Sequence, residues 1–151
     1  MMKYIIVCLS FLIVSCNFSH KQEMGSVNNK SDFSKVVKDT LITYDIEGIS
    51  AEGAGAKVNY VNGKITKSVT SIYGETGQAT IIYEFETEKI KVLETKYSYK
   101  SGIENVKSGE DMQLDYEISY FIDFNGNIIG KEMPDRIDIF KDFKEKVHFE
   151  L

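Results

Sequence analysis

The chain has 151 residues, of which 18 are basic and 23 acidic, and its formal net charge of −5 argues against nucleic acid as a partner. Its only two cysteines are Cys8 and Cys16, which are too few and too close to the amino end to build a disulfide-stabilised fold. A chain of this length can bury a hydrophobic core without such crosslinks.

At the amino end, Lys3 precedes an apolar run from Tyr4 to Val14. This run is too short to cross a bilayer, because a membrane-spanning helix needs roughly 20 apolar residues. A positive residue followed by a short apolar run is typical of a cleaved export signal. We therefore predict that the protein is exported.

The residues Ile13-Val14-Ser15-Cys16 resemble the lipobox of bacterial lipoproteins, in which a small residue precedes a cysteine that becomes the lipidated first residue. The resemblance implies a signal peptide at 1–15, cleavage between Ser15 and Cys16, and acyl chains on Cys16 that anchor the protein to a membrane. In enteric-type lipoproteins a residue other than aspartate at this position goes with passage to the outer membrane, so Asn17 implies the outer membrane of a bacterial cell envelope, on either its periplasmic or its surface face. The alternative is an ordinary secretory signal in which Cys16 is incidental.

Residues 16–32 are predicted to be the lipidated cysteine and a flexible polar tether, and residues 33–151 a single domain. Loss of Lys3 with the signal leaves 17 basic and 23 acidic residues, a net charge of −6. Near Ser31 the sequence offers N-cap oxygens for a short helix reaching Leu41, although Leu41 to Ile46 could equally be extended.

The centre of the chain predicts a β-hairpin. Val58 and Tyr60 alternate with polar residues, Asn62-Gly63 favours a type I′ turn, and Ile65 to Tyr73 is the returning strand. Further strands are predicted from Thr80 to Glu86 and from Ile90 to Lys100. In the second of these the apolar residues change parity between Val92 and Leu93, which predicts a bulge or a strong twist there.

The polar residues 101–111 predict a long loop. Tyr116 to Phe124 then shows the cleanest alternation in the chain, and Asn125-Gly126 turns that strand back into Ile128-Ile129. Pro134 and Asp135 suit the first turn of a helix. Its predicted apolar stripe is Ile137, Phe140, Phe143 (or Lys144) and Val147. Alternation of Val147, Phe149 and Leu151 leaves a terminal strand as the alternative.

The expected fold is α+β and mainly β: an antiparallel meander of about five to seven strands with a carboxyl-terminal helix packed on the sheet. The strand spacing also allows a closed barrel. The predicted helix favours an open sheet, because a helix can cover one face of it.

No group of residues predicts catalysis, a metal site or a cofactor. Asp123 to Asn127 begins like a calcium loop, but Ile128 stands where that loop requires glycine. His148 is the only histidine in the predicted domain, so any catalytic triad would depend on it. Three glutamates alternate along one strand and are expected on a solvent face: Glu84, Glu86 and Glu88.

Most of the nine tyrosines fall in predicted strands. Cross-strand packing in the core accounts for many such tyrosines. If they shared one exposed face, they would instead form an aromatic platform for a sugar ring, a peptide or a protein. The candidate platform consists of Tyr83, Tyr97, Tyr99, Tyr116 and Tyr120.

The pattern KVxYxNGKI from Lys57 to Ile65 is similar to one in small exported bacterial proteins of unassigned function. That resemblance, over roughly residues 50 to 125, favours a β-rich exported domain over an enzyme. The expected function is a membrane-anchored envelope lipoprotein with a non-catalytic domain that binds a protein, peptide or glycan. The alternatives are a small periplasmic or surface hydrolase and a purely structural envelope protein.

Overall fold

The structure is a computed structural model that describes residues 38–151. The predicted signal peptide, Ser15, Cys16, the tether and the start of the predicted helix near Ser31 lie outside this range. Within it, seven strands form one antiparallel sheet in chain order. The strands are β1 (Asp39–Asp45), β2 (Ala54–Val61), β3 (Lys64–Tyr73), β4 (Gly77–Phe85), β5 (Ile90–Tyr99), β6 (Met112–Ile122) and β7 (Ile128–Ile129).

This sheet confirms the predicted antiparallel meander. Each strand pairs with its neighbour in sequence, and β1 and β7 lie at the two edges, so the sheet is open. β1 also contradicts the helix predicted to reach Leu41 and confirms the extended alternative for this stretch. The two short 3₁₀ turns between β5 and β6, Ile103–Asn105 and Gly109–Asp111, occupy the predicted loop.

The structure confirms the predicted turns at Asn62-Gly63 and at Gly126. Asn62 and Gly63 both have positive φ, 53° and 80°, as the type I′ turn between β2 and β3 requires. Gly126, with φ of 95°, turns β6 towards β7. These tight turns place consecutive strands side by side, which fixes the order of the sheet.

The carboxyl-terminal helix α1 spans Phe140–Lys146 and is shorter than predicted. Pro134 and Asp135 precede it without forming its first turn, because the backbone N–H of Ile137 donates to the side chain of Glu94 and not within a helix. After the helix the chain is extended, and Glu150 forms a single bridge to Lys64 on β3.

The core lies between α1 and one face of the sheet. Phe140 and Phe143 are buried and pack on Tyr83 of β4, with ring centroids 5.3 and 5.0 Å from the tyrosine ring. Val147, the residue that follows α1, is also buried. The predicted apolar stripe is therefore confirmed at Phe140, Phe143 and Val147. We call this side of the sheet the core face and the opposite side the open face.

The predicted bulge between Val92 and Leu93 is wrong. β5 alternates regularly there, with Val92 buried on the core face and Leu93 half-buried on the open face. The apparent change of parity arises because both faces of β5 carry apolar side chains. The irregularity lies further along, between Lys96 and Tyr97, where the register against β6 shifts.

Candidate binding surface

The open face is organised in rows that run across the strands, because residues in register on neighbouring antiparallel strands stand side by side. Successive rows are two residues apart along each strand, or about 7 Å. The charged row is Lys67, Glu84 and Lys91; the apolar row is Val69, Ile82 and Leu93; the hydroxyl row is Ser71, Thr80 and Thr95; and the aromatic row is Tyr73, Gln78, Tyr97 and Leu114.

The charged row is internally paired. Lys67 Nζ lies 3.0 Å from one oxygen of Glu84, and Lys91 Nζ lies 3.4 Å from the other. The hydrogen bond and the charge of Lys67, then those of Lys91, hold the pKa of the Glu84 carboxyl below its usual range. This confirms that Glu84 lies on a solvent face, and both oxygens of its carboxylate already have a cation.

The aromatic row carries the largest exposed apolar groups on its end of the sheet. Tyr73 is 46% exposed and Leu114 is 52% exposed, and Tyr97 between them is half-buried. Tyr99 and Met112, paired on the same face, continue the surface beyond this row. We define the tyrosine patch as Tyr73, Gln78, Tyr97, Tyr99, Met112 and Leu114.

The backbone beneath the tyrosine patch is closely packed. Gly77 at the start of β4 lies against the backbone of Tyr97, where a Cβ atom on residue 77 would collide with the Tyr97 carbonyl oxygen. The N–H of Tyr73 donates to the Gly53 carbonyl at 3.1 Å, and the Ser50 hydroxyl donates to the Tyr73 carbonyl. These contacts hold the backbone at Tyr73 and Tyr97 in place.

The structure separates the five tyrosines predicted to share one platform. Tyr83 and Tyr120 are 2% and 8% exposed and belong to the core, so they are not part of an exposed surface. Burial raises the pKa of both phenols, that of Tyr120 to about 12. Only Tyr97 and Tyr99 of the predicted set lie on the open face, where they are joined by Tyr73.

Tyr116 lies on the core face, where its hydroxyl is hydrogen-bonded to the buried carboxylate of Glu94. Its hydroxyl donates to Glu94 Oε1 at 2.6 Å, and the hydroxyl of Tyr120 donates to Oε2 at 3.2 Å. The N–H of Ile137 donates to both oxygens, at 3.0 and 3.1 Å. Burial, then the hydrogen bond to Glu94, raises the pKa of Tyr116. Glu94 therefore ties the segment before α1 to the sheet.

The sequence interpretation missed Glu94 and Gln78, and it left Tyr73, a tyrosine in a predicted strand, out of the five-residue candidate platform. A signal for Glu94 existed, because it shares the parity of Ile90 and Val92, which places a carboxylate on an otherwise apolar face. No comparable signal marks Gln78, since its place beside Tyr73 and Tyr97 depends on the register of three strands.

A cleft of about 700 Å³ lies between the β6–β7 turn and the segment that leads into α1. Among its lining residues, Arg136 donates to Asp138 at 2.7 Å, and the side chain of Asn127 donates to Asp123 at 2.9 Å. These polar groups bond to one another, so the cleft does not indicate one class of ligand.

The ionisable residues considered for catalysis each have separate surroundings. Asp123 accepts hydrogen bonds from Asn125 and Asn127, chiefly from the Asn127 side chain, which lower the pKa of its carboxyl. His148 is exposed and follows the helix, whereas Glu84 lies on the open face. Within residues 38–151, no group of three or more His, Cys, Asp or Glu side chains is arranged to hold a metal ion.

Comparison with protein-family models, with curated proteins and with solved structures gives no significant match for the chain. Among residues 38–151, no helix combines the length and the apolar character needed to cross a bilayer.

Proposed function

We propose that the protein is an envelope lipoprotein anchored to a membrane by acyl chains on Cys16. We further propose that its β-domain is a non-catalytic module that binds its ligand on the open face. The lipobox-like residues Ile13 to Cys16 support the anchor. The tyrosine patch carries the binding proposal, because amphipathic rings gathered on the open face of a hydrogen-bonded sheet supply contact area at low entropic cost.

The anchor is tested by metabolic labelling with an alkyne analogue of palmitate in a Gram-negative host. The wild-type chain is expected to carry the label and to sediment with membranes. Cys16→Ala is expected to lose both properties. Cys8→Ala is the matched control, because Cys8 lies in the segment that is removed, and it should label normally. Equal labelling of Cys16→Ala and the wild type would contradict the anchor.

The binding surface is tested with single cysteines, since Cys8 and Cys16 are the only cysteines of the natural sequence. Ser71→Cys places a thiol in the hydroxyl row beside the tyrosine patch, and Thr43→Cys places one on the open face at β1. We expect Ser71→Cys to react with a maleimide more slowly in intact envelopes than in the purified protein. Thr43→Cys should react equally in both, and equal rates for Ser71→Cys would overturn the proposed surface.

A further inference from the structure

We infer that the ligand of the tyrosine patch is a neutral, extended β-1,4-linked glycan that lies across the strands along the aromatic row. This inference rests on the proposed function and names the ligand class of the same surface. It follows from the charge, the hydrogen-bonding groups and the spacing of the rings on this part of the open face.

The aromatic and hydroxyl rows contain no charged side chain between β3 and β5. Their polar groups are the amide of Gln78 and the hydroxyls of Ser71, Thr80 and Thr95, all half-buried. Such neutral groups both donate and accept hydrogen bonds, as the hydroxyls of a sugar do. The acidic side chain of Glu117 stands on the margin, at β6, where the Thr95 hydroxyl donates to it.

The two tyrosines of the aromatic row are separated by one strand, β4, which contributes Gln78 between them. Two strand spacings are about 10 Å. This is close to the length of one disaccharide repeat in an extended β-1,4 glycan. Alternate sugar rings could therefore lie on Tyr73 and Tyr97 through their apolar C–H faces, with the intervening ring over Gln78.

The hydroxyl row runs parallel to the aromatic row at a distance of about 7 Å. A sugar chain lying on the rings would present its equatorial hydroxyls sideways, towards Ser71, Thr80 and Thr95. An extended peptide offers backbone N–H and C=O groups to one side only about every 7 Å, which does not match hydroxyls on strands about 4.8 Å apart. The pairing of an aromatic row with a hydroxyl row favours the glycan.

A second copy of the chain is a poorer occupant. The open face of each copy would bring its charged row, Lys67, Glu84 and Lys91, into the contact together with the tyrosine patch. Those charges are already paired within one copy, so burying them would cost desolvation without a new partner.

The test is calorimetric titration of the full acylated chain, in a sugar-free zwitterionic detergent, with cellohexaose and chitohexaose. Maltohexaose, which is α-1,4-linked and coiled, is the control ligand. We expect at least one β-1,4 hexasaccharide to bind and maltohexaose not to bind. Tyr73→Ala and Tyr97→Ala should each weaken binding about tenfold through loss of one ring contact. Leu41 on β1 is also on the open face and is 65% exposed, but it lies outside the tyrosine patch. Leu41→Ala is therefore the matched control and should bind as the wild type does.

Tyr97→Phe keeps the ring and should retain binding, which separates a lost contact from a misfolded variant. Failure of both β-1,4 hexasaccharides to bind would overturn the glycan inference, as would equal weakening by Leu41→Ala. A dimer that sedimentation velocity finds in the wild type and not in Tyr97→Ala would also overturn it. Protection of Ser71→Cys in intact envelopes without hexasaccharide binding would reject the glycan and leave the proposed binding function standing.

Discussion

The two faces of the sheet carry similar residues, but side chains on the core face are buried and those on the open face are partly exposed. On the core face, Tyr83 is 2% exposed and packs on two phenylalanines of α1. On the open face, Tyr73 is 46% exposed in the same meander. Residue type therefore does not decide whether a tyrosine stabilises the fold or is available to a ligand. The side of the strand on which it falls, relative to the helix, decides it.

Removing an aromatic side chain of α1 should give the largest loss of stability, because these side chains fill the space between the helix and the sheet. Phe143 is fully buried, and Phe143→Ala is expected to lower the free energy of unfolding by about 3–5 kcal/mol. Urea denaturation measures this. Ile82→Ala, in the half-buried apolar row of the open face, should cost clearly less. Equal losses at the two positions would mean that the open face is covered as fully as the core face.

The buried carboxylate is expected to give the next largest effect. Glu94→Ala leaves two tyrosine hydroxyls and the Ile137 N–H without their acceptor, which should cost about 2–4 kcal/mol. Glu94→Gln keeps one carbonyl acceptor and should lose less. Glu117→Ala, which is exposed on β6, should change the free energy of unfolding by less than about 0.5 kcal/mol. Stability of Glu94→Ala equal to that of Glu117→Ala would refute a structural role for the buried network.

At alkaline pH the buried phenol of Tyr120, on the core face, should make the stability of the fold depend on pH. Burial, then the charge of Glu94, raises its pKa from about 10 to about 12, so above pH 10 the unfolded chain loses this proton before the folded one. The resulting stability is complete below pH 10 and is lost as the pH rises towards 12. Denaturation at increasing pH should show a shallower decline for Tyr120→Phe than for the wild type. An unchanged slope in Tyr120→Phe would contradict this assignment.

The ion pairs of the open face should give the smallest change. Glu84→Gln removes the acceptor shared by Lys67 and Lys91, but these side chains are each more than two-fifths exposed. Solvent screens such pairs, so the melting temperature should shift less than for any substitution described above. The shift should disappear in high salt. A loss comparable with that of Glu94→Ala would indicate that the charged row is buried in the working form of the protein.

Local sequence signals predicted the strands and turns well because their causes are local. Asn62-Gly63 favours positive φ at both turn positions, and alternation in β6 marks a strand without reference to any partner. The helix was predicted too long, since Ile137 bonds to Glu94, 43 residues earlier in the chain. No local pattern can report a hydrogen bond over that separation.

The candidate site was only partly predictable, because a register shift exchanges faces. Leu114 and Tyr116 are two residues apart on β6 and would share a face in a regular strand. The irregularity opposite Lys96 and Tyr97 places Leu114 opposite Tyr97 on the open face and Tyr116 opposite Lys96 on the core face. The alternation along β6 therefore could not show that Leu114 joins Tyr97 on the open face while Tyr116 lies on the core face.

The sequence by itself determined a cysteine-poor, strand-rich chain with tight turns, and it supplied the pattern on which the lipid anchor at Cys16 is proposed. Only the tertiary structure decided which side of each strand α1 covers. Both faces of the central strands carry apolar residues, as Val92 and Leu93 show. Hydrophobic pattern alone therefore cannot choose between them, and the choice is made by the helix packing on Tyr83 and by the strand register that aligns Tyr73 with Tyr97.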